Sequence, residues 1–149
     1  MYADFLKKTE ATIDGQTIEL TQISGLDRYH FIEYLHEQSK LAELKKPSGE
    51  GSSEQYLIEL EKYIREMDFI NMKIKCRLIA YSTLRDVPPD EREYKIESQQ
   101  LKIMSSFSSE QINELNTIAA ELSKIPMGDD GDSSDTDPEV IAEEQEKKT

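Results

Sequence analysis

Between Phe5 and Leu20 apolar and polar residues alternate, the period of two that a half-buried strand requires. Asp14-Gly15 interrupts the alternation, and this dipeptide suits the two positive φ angles of a type I′ hairpin turn. Setting Ile13 opposite Gln16 places Ala11 against Ile18 and Thr9 against Leu20, which gathers Ala11, Ile13, Ile18 and Leu20 on one face. The other face holds Glu10, Thr12, Thr17 and Glu19, with a small repulsion between Glu10 and Glu19. A lone hairpin is marginal in water, so helices are expected to cover its apolar face.

From Thr21 onward the apolar period changes to that of a helix. Thr21 to Leu44 reads as a first helix with Thr21 as a cap, Gly25 in its first turn, and Ile23, Leu26, Tyr34, Leu41 and Leu44 near one side. Lys45 to Ser53, with its Pro, Gly and Ser, reads as an exposed connection. In Glu54 to Leu84 the residues Leu57, Leu60, Ile64, Met67, Ile74, Leu78 and Tyr81 recur at spacings of three and four, interrupted at Asn71, which predicts the longest helix. Pro88 and Pro89 end it. Asp90 to Ser105 is a further helical stretch with Tyr94, Leu101 and Met104 on one side. Ser108 and Gln111 have the spacing of a capping box for a last helix buried along Ile112, Leu115, Ile118, Ala119, Leu122 and Ile125, with Pro126 and Gly128 as its stop.

Beyond Pro126 the pattern disappears. Residues 127–149 hold five Asp and four Glu against two Lys, with only Val140 and Ile141 as branched aliphatics, so burial there cannot offset the entropy of ordering. The expected fold class is therefore mainly α: a hairpin plus helical domain over residues 1–126 and a disordered acidic tail or linker over 127–149. A net charge of -13 on 149 residues opposes nucleic acid and anionic lipid, both of which attract clustered Lys and Arg. No apolar run approaches a signal peptide at Met1 to Lys8 or the ~18 residues of a membrane span, and the single cysteine, Cys76, implies no disulfide framework. The expected compartment is the cytoplasm.

Candidate chemistry fails on residue type. His36-Glu37 opens like a zincin helix, but Lys40 stands where the second histidine belongs, and His30 reads as a structural histidine. Cys76, between Lys75 and Arg77, has no histidine or second thiol near it in sequence to complete a nucleophile. If Asp130 and Asp132 start a calcium loop, Asp135 falls where Gly is needed and Ile141 where the bidentate Glu is needed. No catalytic residue, metal ligand or cofactor site is expected.

The apolar stripe of the long helix remains. About 31 residues at 1.5 Å each give a rod of roughly 45 Å, more than one small domain covers on one side. Leu57, Leu60, Ile64, Met67, Ile74 and Leu78 are thus the candidate partner-binding residues, set against the plainer reading as a core stripe. Tyr56, Tyr63 and Ile70, seven apart, form a second line, which suggests that the helix is buttressed from two directions or pairs with another copy of the chain.

Phe5-Leu6-Lys7-Lys8-Thr9-Glu10, the Asp14-Gly15 turn and Leu20-Thr21-Gln22-Ile23-Ser24-Gly25-Leu26 with Arg28 resemble the start of the G-type tail assembly chaperones of lambda-like phages. Leu78-Ile79-Ala80-Tyr81-Ser82-Thr83-Leu84 and Phe107-Ser108-Ser109-Glu110-Gln111-Ile112 are similar to that family's middle and final helices. The resemblance covers most of residues 5–125. It implies a non-enzymatic chaperone in the host cytoplasm, absent from the mature virion, that binds the tape measure protein. It also implies a longer frameshifted form of the chain, whose added domain recruits the tail tube protein; Glu146-Lys147-Lys148 suits an A-rich slippery run. Two other classes fit the composition: a structural tail or tail-completion protein of the virion, and a small helical regulatory adaptor.

Overall fold

The computed structural model describes residues 5–47 and 54–126. Its elements in chain order are β1 (Lys8–Ile13), β2 (Gln16–Thr21), α1 (Gly25–Lys45), α2 (Glu54–Thr83), α3 (Pro89–Ser106) and α4 (Ser109–Ser123). This is the mainly helical architecture with an N-terminal hairpin that the periodicity predicts. Of the connection expected at 45–53, Lys45 is the last residue of α1 and residues 48–53 lie outside the described residues, as does the acidic tail expected at 127–149.

β1 and β2 pair antiparallel in the expected register, Ala11 against Ile18 and Glu10 against Glu19. Asp14 and Gly15 both have positive φ, 49° and 84°, the left-handed pair of a type I′ turn. Ala11, Ile13 and Leu20 face inward and are buried. α4 lies over both strands, and Gln111 Nε2 donates to Asp14 Oδ2 at 2.7 Å, tying the turn to the start of α4.

Helix α1 begins later than expected. Thr21 belongs to β2 and is buried, while the Ser24 hydroxyl accepts from the Asp27 N–H as the cap. Its inward face is also rotated: Asp27, Phe31, Gln38 and Ala42 are buried, whereas Leu26 and Leu44 are exposed. The cause is a polar partner. The Asp27 carboxylate accepts two hydrogen bonds from Arg92, at 2.9 and 2.8 Å, and this places the polar residue, rather than Leu26, against α3.

Helix α3 shows the same correction, because Tyr94 and Leu101 point outward while Ile96, Gln100 and Ile103 are buried. Gln100 is drawn inside by complementary groups, its Nε2 donating to Tyr34 Oη and to the Lys73 carbonyl and its Oε1 accepting from Arg77. Helix α4 follows the sequence closely, with both halves of the capping box between Ser108 and Gln111 formed. It stops at Lys124, whose φ of 54° is left-handed, two residues before Pro126.

One cluster joins the layers. Leu78, Ile79, Tyr81, Phe31, Leu20, Ile96, Ile112 and Leu115 are almost wholly removed from water and pack together. The Phe31 and Tyr81 rings meet edge to face at 6.3 Å. Because α2 contacts α1, α3, α4 and β2, its C-terminal half is the axis of the domain.

Candidate functional site

The neighbours of α2 do not follow it along its whole length. α1 runs antiparallel to it: Tyr34 stacks under the Arg77 guanidinium at 4.6 Å, and Lys45, the last residue of α1, reaches Glu66 Oε2 at 2.8 Å. α4 approaches through Asn113, which accepts from Lys75 at 2.7 Å, and its first turn borders Asp68 and Asn71. α3 ends with Leu101 and Met104 beside Phe69 and Lys73. Upstream of Glu66 the first three turns of α2, residues 54–65, run on past the end of α1 for roughly 18 Å, with Lys46 and Pro47 still beside Glu59, Lys62 and Tyr63.

This projecting arm is apolar over a wide arc. It carries Tyr56, Leu57, Ile58, Leu60, Tyr63 and Ile64, of which Leu57, Ile58 and Ile64 are 55%, 57% and 53% exposed. Uncovered large aliphatics grouped on one element mark an interaction surface more often than three scattered ones would.

The six candidate partner-binding residues therefore divide. Leu57 and Ile64 are exposed on the arm, Leu60 and Met67 are half-buried on the same side, Ile74 packs against the core, and Leu78 is fully buried within it. Leu78 is occupied by the fold and offers a partner nothing. Of the second line, Tyr56 and Tyr63 are half-buried and Ile70 is buried. Ile58 and Phe69, both exposed, were absent from either line because they fall on a third side of the helix, in step with Lys62, Arg65 and Lys73. An alternation of cations with exposed apolar residues was the available signal.

The buried polar groups form a scaffold. Arg77 donates to Gln100 at 3.0 Å and to Glu93 at 3.2 Å, the Tyr81 hydroxyl donates to Glu93 at 2.9 Å, and Arg92 bridges Asp27 and the Tyr81 carbonyl. Burial, then the hydrogen bond to Glu93, pushes the Tyr81 hydroxyl well above its ordinary value and keeps it a donor. These contacts lock α1, α2 and α3 in one register, and Arg77 and Gln100 also line an open pocket between those helices with Tyr34, Glu37, Lys73 and Glu97.

Cys76 is wholly buried, and desolvation pushes its thiol up to about 11 despite the opposing charge of Lys75, so it is the reverse of an activated nucleophile. His30 is half-buried, with Nδ1 at 3.7 Å from Glu33 one turn along the same helix. Among the described residues no group of three His, Cys, Asp or Glu could hold a metal ion, and no helix is long and apolar enough to cross a membrane.

The arm is not the one place where large apolar side chains meet solvent: Leu26, Tyr29, Ile32 and Leu44 of α1 and Tyr94 and Leu101 of α3 are exposed as well. Residues 4–140 match the family model described as bacteriophage lambda tail assembly chaperone, TAC, protein G, and the chain belongs to this family. No curated protein and no solved structure matches it. The protein is thus a tail assembly chaperone, as the resemblance in its helices and hairpin implied.

Proposed function

We propose that the chain holds the tape measure protein by laying an amphipathic helix of that protein along the projecting arm of α2, against Leu57, Leu60, Ile64 and Met67. The single observation that carries this reading is the arm itself: an apolar helix segment left uncovered where α1, α3 and α4 stop. Helix-in-groove recognition uses anchors at such spacings, and apolar contact supplies affinity that is readily reversed as tube subunits displace the chaperone. The net charge of -13 would keep the loaded complex from associating further. Copies of the chain would associate through the same arm before a client is bound, giving a homo-oligomer. A longer frameshifted form shares this domain and adds one that recruits the tail tube protein, and both forms act in the host cytoplasm and leave before the virion matures.

Co-expression with the tape measure protein of the same phage tests the reading. The client stays soluble and co-purifies with the wild-type chain; Leu57→Asp with Ile64→Asp abolishes co-purification while thermal unfolding stays within a few degrees. Undiminished co-purification by that double variant would sink the assignment of the arm. Mass spectrometry of mature particles adds a second check, because abundant copies of the chain there would favour a structural tail component.

A further inference from the structure

On the side of α2 turned away from Leu57 and Ile64, the residues Ile58, Lys62, Arg65, Phe69 and Lys73 recur every three or four positions and lie in one line. Ile58 and Phe69 are largely exposed, and Lys73 Nζ stands 5.3 Å above the Phe69 ring. Lys62 and Arg65 make no salt bridge among the described residues. Lys45 and Lys46 border the same strip beside Lys62, together with Glu66, whose carboxylate is already held by Lys45, and Glu59, which accepts from Gln55. Glu37 of α1 and Glu97 of α3 border Phe69 and Lys73 on one side, so the cations Lys62, Arg65 and Lys73, with Lys45 and Lys46 beyond them, line the other side of Phe69. Left open, such a strip would attract the acidic surface of every other copy.

One stretch of the same sequence carries the complementary pattern. Asp137-Pro138-Glu139-Val140-Ile141-Ala142-Glu143-Glu144 sets two adjacent branched aliphatics between four carboxylates. We propose that this acidic segment docks on the α2 strip of its own molecule, Val140 and Ile141 covering Phe69 while the carboxylates on either side of them pair with Lys62, Arg65 and Lys73.

The reach is sufficient. Ile23 N–H donates to Ser123 Oγ at 3.0 Å and Ser82 donates to the Thr21 carbonyl at 2.7 Å, so the chain leaves α4 near the C-terminal end of α2. Phe69 lies roughly 20 Å back along that helix, and the fourteen residues that follow Pro126, up to Val140, span up to about 46 Å when extended. A tether of this kind gives an effective concentration on the order of millimolar, enough for a contact that would be weak between separate molecules. Nucleic acid could also engage cations and an aromatic ring, but it would meet a net charge of -13 over the rest of the surface. The strip lies on a different side of α2 from the proposed client face, so this contact stands or falls independently of tape measure binding.

Paramagnetic labelling of the full chain tests it. Thr136→Cys takes a nitroxide at neutral pH, where the buried Cys76 is protected. The label is expected to broaden amide signals of residues 58–73 several-fold more than those of the hairpin at 8–21. The difference disappears with Ile141→Asp, with Lys62→Glu plus Arg65→Glu, and in about 1 M salt, where the Debye length falls to about 3 Å. Unchanged hairpin shifts show that each variant remains folded. Even broadening over the whole surface, or broadening that survives both sets of substitutions, overturns the proposal. So does broadening carried between labelled and isotope-enriched copies in a mixed sample in which both carry Leu57→Asp and Ile64→Asp and so do not associate through the arm, which would make a second copy the occupant. Shifts in the strip on adding a short DNA duplex, without broadening from the label, would assign it to nucleic acid and overturn the proposal as well.

Discussion

Residues 75–82 of α2 are all buried and residues 54–65 include not one buried position, although both stretches belong to a single helix without a break. Their apolar content does not separate them: the first has Cys76, Leu78, Ile79, Ala80 and Tyr81, the second Tyr56, Leu57, Ile58, Leu60, Tyr63 and Ile64. What differs is company. Around Leu78 and Tyr81 the helices α1, α3 and α4 and strand β2 close on all sides, while the arm outruns its neighbours. The same chemistry thus serves cohesion in one half of the helix and recognition in the other.

The contrast can be attacked at the contacts that close the core half. Asp27→Ala leaves Arg92 in a dry site without its carboxylate, and the expected loss is about 3–5 kcal/mol, read as a lowered urea midpoint with an unchanged slope. Next comes a matched pair of truncations. Leu78→Ala costs about 2–5 kcal/mol for a fully buried leucine, whereas Leu57→Ala on the arm changes stability by no more than about 0.5 kcal/mol. Equal costs at the two positions would mean that the arm is packed and that the division of α2 is wrong.

pH acts on the two halves from opposite directions. Cys76 is raised to about 11 from an ordinary 9.0, and Tyr81 is raised too, so the fold favours their protonated forms. That stabilisation is complete below pH 9 and drains away as pH climbs through 11, and the urea midpoint should fall over that window. Glu66 shifts the other way, its carboxyl held below the usual range first by the hydrogen bond from Lys45 and then by that lysine's charge. Its contribution is present above the ordinary carboxylate range and is lost as pH drops through the lowered value. Acid should therefore lower the hydrogen-exchange protection factors of residues 54–65, referred to the slower intrinsic exchange at low pH, with scarcely any change in melting temperature, a modest response because the pair is exposed to solvent. Protection on the arm that ignores both acid and Glu66→Gln would remove the Lys45 contact from the account of where the arm begins.

The hairpin, the extent of α2 and the capping box of α4 were legible in the sequence because each rests on local chemistry: a turn dipeptide, a long apolar period, a reciprocal side-chain pair. The inward faces of α1 and α3 were not, since hydrophobicity alone selects Leu26 and Leu101 while the fold buries Asp27 and Gln100. That choice depends on Arg92, Arg77 and Tyr34, partners distant in sequence. Part of the candidate site could be read in the same way. Periodicity located the Leu57–Ile64 line but extended it through Leu78, because a stripe records which side of a helix is apolar and not how far its neighbours accompany it.

The bond between Ile23 and Ser123, with Arg28 donating to the Ser123 carbonyl at 2.9 Å, fastens the last helix to the junction between the hairpin and α1. The domain is clasped by residues about a hundred positions apart, so its closing step is a long-range one. During synthesis the early elements must wait for α4 to clear the ribosome before their apolar faces can be sealed.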